Sequence, residues 1–165
     1  DEIAAQVLDC IINDMGRRND IATTALKRTS PVLVISTSQR LVVREALNAP
    51  MWRWWVQRPD LLVDRMRLGF GPFGMRDLRL VVEGGVYSII GDNLDAAWNM
   101  LMWILVGGMR DVVMGDYSAK YKNLMIESNL RVLGVPLDEA KAIANVPLPE
   151  YPEANIDFSF LLQDV

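Results

Sequence analysis

Apolar side chains recur at Ile3, Val7, Leu8, Ile11 and Ile12, the spacing of one helix face. Gly16 predicts the end of that helix, with Arg17 and Arg18 suited to its negative terminus, and residues 20–29 read as a short second helix. Pro31-Val32-Leu33-Val34-Ile35 is β-branched and bounded by turn residues, which predicts a short buried strand near 31–35. Ser36 and Gln39 match a capping box opening a helix to about Asn48. Arg40 and Arg44 then stand one turn apart on its outer side, and Pro50 closes the unit. Asp60 opens a short helix from Leu61 to Leu68. A glycine-rich turn covers 69–74, and Met75 to Val82 fits either helix or strand.

Gly84-Gly85 breaks the pattern. Val86 to Ile90 predicts a second strand, followed by a turn at Gly91-Asp92-Asn93. Leu94 to Met114 is the strongest helix. Leu94, Ala97, Trp98, Leu101 and Leu105 form one stripe, and Met102, Trp103 and Ile104 make it apolar nearly all round, as in a central helix. Trp98, Leu101, Trp103 and Leu105 are expected to be buried, and Gly107-Gly108 to kink or divide the helix. Tyr117 to Leu133 is two-faced, with Lys120, Asn123, Glu127 and Arg131 on its polar side. Gly134 reads as its C′ residue and Pro136 as the start of a short helix to Ala144. The expected fold is mainly α, a compact helical domain over 1–146 with minor strands near 31–35 and 86–90. Residues 147–165, with three prolines, read as an extended tail packed by Tyr151, Phe158 and Phe160.

Length adds that 165 residues suit one domain or a large piece of a bigger protein. The opening Asp1, with no initiator Met, points to a processed product or an excised fragment. The absence of histidine and the single cysteine, Cys10, remove intramolecular disulfides, His-based triads and the usual zinc sites. Cys10 sits in an apolar pattern and reads as a buried structural thiol in a reducing, intracellular setting. No basic leader precedes an apolar core. The most apolar run, Ala96 to Met109, is too short to span a bilayer.

Charge changes the picture more. The net charge of −4 is unevenly spread. Residues 40–79 hold eight arginines, no lysine and four acids, whereas residues 80–165 hold five basic and twelve acidic residues. A globally basic nucleic-acid binder is excluded, but a local basic patch is not.

Four motifs carry candidate chemistry. Gly69-Phe70-Gly71-Pro72-Phe73-Gly74 fits G-x-G-x-x-G, yet the charged Asp64-Arg65-Met66-Arg67 precedes it in place of a hydrophobic strand, so a structural glycine turn is the better reading. Gly91-Asp92-Asn93 lacks the earlier aspartate a two-metal polymerase centre needs and reads as a turn or helix cap. Asp138 and Glu139 suit a helix start rather than acid–base work. No catalytic residue, metal site or cofactor is expected in this chain.

The fourth motif is the arginine block, threaded by tryptophan in Trp52-Arg53-Trp54-Trp55-Val56-Gln57-Arg58. Arginine holds phosphates and indoles stack on bases. RNA contact is therefore assigned to Arg40, Arg44, Trp52, Arg53, Trp54, Arg58, Arg65 and Arg67. Three indoles at this spacing cannot share one face, so at least one belongs to the core. The competing reading packs the tryptophans and pairs the arginines.

Ser30 to Ile35, Arg40-Leu41-Val42-Val43-Arg44-Glu45, Trp55 to Leu61, Tyr121-Lys122-Asn123-Leu124 and Leu133-Gly134-Val135-Pro136 give the chain a texture that resembles the C-terminal bracelet region of polymerases from segmented double-stranded RNA viruses, the reovirus-like group. The resemblance implies an accessory region of a viral RNA-directed RNA polymerase that guides RNA through a channel. The catalytic aspartates would lie elsewhere in the parent, and the setting would be the virion interior. The alternative is a structural or protein-interaction module such as a viral capsid or scaffold component, motivated by the apolar content and nine methionines. A stand-alone enzyme built on the glycine loop is the third reading.

Overall fold

The computed structural model describes residues 2–118, 120–156 and 158–159. Seven α-helices run through them: α1 (Glu2–Ala22), α2 (Pro31–Asn48), α3 (Trp52–Trp55), α4 (Pro59–Glu83), α5 (Leu94–Met114), α6 (Tyr121–Val132) and α7 (Leu137–Ala144). Short 3-10 turns follow α1 and precede α5. The mainly helical class holds, but neither expected strand exists among the described residues. Residues 31–35 are the first turns of α2, whose start is fixed by Pro31 in its first turn. Val32, Val34 and Ile35 are buried there. A short apolar run of this kind suits a helix covered on several sides as well as a strand, and α2 packs against α1, α4, α5, α6 and α7. Ser36, read as a cap, lies inside this helix and is fully buried. Residues 86–89 are irregular and Ile90 opens a 3-10 turn, between positive-φ glycines at Gly85 and Gly91.

Two other boundaries moved. Gly16 does not end α1, because a glycine inside a helix is tolerated when a neighbour needs the space, and Phe73 takes it. The glycine-rich stretch 69–74 is the interior of the 25-residue α4, not a turn. Gly69 and Gly74 are contact glycines. A Cβ on Gly69 would come within 2.5 Å of Ile12 on α1, and one on Gly74 would collide with the Trp98 ring on α5.

The ends of α5 follow local rules. The Asn93 side chain accepts the Ala96 N–H at 3.0 Å, and Gly115 closes the helix at φ 82°. Gly107-Gly108 neither divides nor ends it. Gly134, at φ 83°, ends α6, with the Val135 N–H reaching back to the Leu130 carbonyl at 3.1 Å. Trp98, Leu101 and Leu105 are buried as expected. Trp103 is not, at 48% exposed. No helix among the described residues is long and apolar enough to cross a membrane.

Beyond α7 the chain runs without helix through Ile156 and straps α1 to α2. The Val146 carbonyl accepts from Arg40. Tyr151 lies between the guanidinium groups of Arg18 (4.5 Å) and Arg44 (5.3 Å), and the Asn155 N–H reaches Asp14 at 3.3 Å. Phe158 is exposed, and Phe160 falls outside the described residues. Cys10 is half-buried rather than fully enclosed.

Candidate functional site

The arginine–tryptophan block does not assemble into a channel. Trp52 and Trp55 are buried in the core. Trp54 is 39% exposed, packs edge-on against Trp55 with centroids 4.4 Å apart, and is covered by the Arg58 guanidinium at 3.6 Å. Arg53 donates to the Val113 carbonyl at 3.3 Å. Arg65 pairs with Asp9 at 2.6 Å. Arg67 bonds Asn99 at 3.1 Å and Asp64 at 2.9 Å. These side chains tie helices together or cover neighbouring indoles. Arg40 and Arg44, from the same block, turn to a different face on α2.

The candidate site lies elsewhere, where α1, α2, α4 and α5 converge on a cavity of about 60 Å³. Its walls are chiefly apolar, with Phe70 and Phe73 from α4, Trp98 and Met102 from α5, and Ile35 and Val42 from α2. Two glycines let the rings lie close to the helix backbones. Gly16 accepts Phe73 so closely that a Cβ would come within 2.8 Å of that ring, and Gly74 does the same for Trp98. Trp98 is fixed by its indole N–H, which donates to the Arg67 carbonyl at 3.3 Å.

A few polar groups reach this cavity. Asn19, 5% exposed, donates its amide to the Ser38 carbonyl at 3.3 Å. Because a carbonyl only accepts, this contact sets the amide orientation and leaves Asn19 Oδ1 buried without a partner. Gln39 Oε1 accepts from Asn129 at 2.9 Å, and Asn129 also donates to the Leu101 carbonyl at 3.3 Å. Asp77, 6% exposed, accepts twice from its neighbour Arg76, at 3.0 and 2.7 Å. Burial nevertheless pushes its carboxyl above the ordinary value, and Arg76 only partly offsets this. Asp20, at the rim, is bound by Lys27 and by Arg76 at 2.7 Å. An unpaired buried acceptor is costly. Beside aromatic walls it is the signature of a site that a donor-bearing molecule can complete.

The sequence reading missed this site because none of its polar residues forms a motif. Asn19, Gln39 and Asp77 come from three helices. The one available signal was the glycine spacing, which marks close helix approach and was read as a turn.

Comparison with known proteins fits this geometry and overturns the viral reading. Comparison with curated proteins gives no match. Among solved structures, RolR without ligand superposes with a TM-score of 0.78 at 25% identity, over 90% of this chain and 75% of RolR. RolR in complex with resorcinol gives 0.77 at 26% identity, over 90% and 74%. Neither is a polymerase or a capsid component, so the assignments to a viral polymerase, to RNA as partner and to the virion interior are withdrawn. The resemblance rested on scattered helical segments, and amphipathic helices of similar composition recur in unrelated folds. Residues 30–146 match the family described as "Tetracyclin repressor-like, C-terminal domain", and the chain belongs to that family.

Proposed function

We propose that this domain is the effector-sensing part of a DNA-binding transcription regulator, and that the cavity between α1, α2, α4 and α5 takes a small aromatic compound bearing hydrogen-bond donors. The observation that carries this is the unpartnered Asn19 Oδ1, buried on a residue that lines a cavity walled by Phe70, Phe73 and Trp98. RolR, whose fold this chain shares, is known in complex with resorcinol, a planar ring with two hydroxyl donors, and that chemistry suits an acceptor between rings. The DNA contact that a repressor makes is assigned to no residue of this chain, and a regulator of this kind works inside the cell.

The cavity volume implies a moving wall. About 60 Å³ is well below the ~150 Å³ that holds benzene in an engineered apolar cavity. An aromatic guest therefore displaces part of the lining. Phe73 is the wall best placed to move, because it rests on Gly16 with no side chain behind it. Its displacement bears directly on the α1–α4 contact, which gives occupancy a route to the helix geometry.

Calorimetric titration of the folded chain with resorcinol, phenol and benzene tests this. The two hydroxybenzenes are expected to bind and benzene to bind more weakly. Asn19→Ala should weaken hydroxybenzene binding about tenfold with the helical circular dichroism retained. Failure of both hydroxybenzenes to give heat, or to raise the thermal midpoint, sinks the proposal.

A further inference from the structure

Arg40 and Arg44, which the function above does not use, line a second cavity together with Lys122. It has a volume of about 250 Å³ and lies between the second half of α2, the first turn of α6 and Leu148 of the tail. Its lining contains no carboxylate, and Asn48 and Asn123 supply its other polar groups. Arg40 makes one hydrogen bond, to the Val146 carbonyl, and no ion pair with any described residue. Among the described residues, Arg44 makes only the contact with the Tyr151 ring. Lys122 has no hydrogen-bonding or ionic partner among the described residues. The carboxylate adjacent to Arg44, on Glu45, is engaged by Arg18 at 3.2 Å.

Arg40 and Arg44 are half-buried and Lys122 is exposed, whereas the other buried or half-buried cations among the described residues are all in ion pairs. Arg18 meets Asp14 at 2.7 Å, and Arg76 meets both Asp20 and Asp77. Three cations around one concavity repel one another unless an anion joins them. Burial lowers the pKa of Arg40 with no opposing charge to offset it, as expected of a cation awaiting a counter-ion. The wall at Lys122 is also the start of a twelve-residue helix with no acid in its first turn, so the positive end of that helix dipole faces the site without a neutralising carboxylate on its own first turn. Guanidinium donors suit the forked oxygens of carboxylate and phosphate, and the cavity has room for several times the ~30 Å³ share of one water.

We propose that this cavity is a binding site for a small oxyanion, a phosphate- or carboxylate-bearing metabolite, held by Arg40, Arg44 and Lys122. It is separate from the aromatic cavity and lined by different residues. It gives the domain a second small-molecule input on the face where the tail crosses α2.

Titrating the folded chain at low ionic strength with inorganic phosphate and, separately, with citrate tests the site. Saturable one-to-one binding is expected for at least one, weakening as sodium chloride is added, and the stronger arm distinguishes phosphate from carboxylate chemistry. Arg44→Gln and Lys122→Gln should each weaken it about tenfold, while Lys141→Gln on α7, exposed and outside the cavity, should leave it unchanged. Arg40→Gln should abolish it. Because that change also removes the Val146 contact, the exposed Lys122 supplies the variant that leaves the fold untouched. Absence of binding by either anion to wild-type protein overturns the proposal, as does binding that Arg44→Gln and Lys122→Gln leave intact.

Discussion

Arg76 stands between two carboxylates that respond to it in opposite ways. Burial alone would raise Asp20, but hydrogen bonds from Lys27 and Arg76 outweigh it and hold the carboxyl below its ordinary 3.8. Among the described residues Asp77 has Arg76 alone as a close donor, and burial wins. The signs of their contributions to stability therefore differ. Asp20 contributes stability that is present above its unfolded pKa and lost as pH falls through its lower folded pKa. Asp77 favours the folded state most below its unfolded pKa, and that contribution is lost as pH rises through its raised folded pKa. Asp20→Asn should cost about 1 kcal/mol at pH 7, and the difference from wild type should shrink as pH drops below 3.8. Asp77→Asn should cost less than Asp20→Asn at pH 7. Urea unfolding of the three proteins across a pH series reads both. A deficit in Asp20→Asn that stays constant into strong acid, or a larger deficit in Asp77→Asn at pH 7, contradicts the assignment. None of this was legible in the sequence, where Asp20 and Asp77 are 57 positions apart and only helix packing brings them to one guanidinium.

Among the elements, α5 was readable almost to the residue because its caps are local, with Asn93 before it and Gly115 after it. α4 was not, because its middle contains three glycines and a proline that argue against helix one residue at a time. The tertiary reason for two of those glycines lies across the contact, at Ile12 and Trp98, and cannot be seen from the segment itself. Pro72 remains a local misfit inside α4. It lacks the N–H that would bond the Leu68 carbonyl, and its ring crowds that carbonyl. It also lies between Phe70 and Phe73, the rings that wall the aromatic cavity. Pro72→Ala should restore the bond and raise the unfolding free energy by about 1–3 kcal/mol. If the weakened turn helps Phe73 yield to a guest, the same variant should bind hydroxybenzenes less tightly. A stability loss in Pro72→Ala would show that the proline is accommodated by the fold rather than tolerated.

On the scale of the molecule, net charge and composition misled because arginine was counted along the chain and not over the surface. The block at 40–79 spreads over α2, α3 and α4, and its members find partners on several faces. The hydrophobic pattern was the better guide, and it leaves one feature unspent. α5 is apolar nearly all round, but α4 and α6 cover only part of it. Met100 and Trp103 remain 40% and 48% exposed, and Gly107, one turn on from Trp103, has open space above it. These positions form one stripe at helical spacing. A tryptophan can bury 150–250 Å², so covering the exposed half of Trp103 is worth roughly 2 kcal/mol in each copy. A glycine beside it permits a second helix to approach closely. A symmetric pair of copies, each placing Trp103 near Gly107 of the other, satisfies both, and two-fold pairing is the commonest closed assembly. Sedimentation velocity over a range of concentrations should show a dimer, and Trp103→Glu should shift it to monomer while leaving the helical spectrum intact. A wild-type chain that stays monomeric throughout, or a dimer indifferent to Trp103→Glu, removes this stripe as the contact between copies.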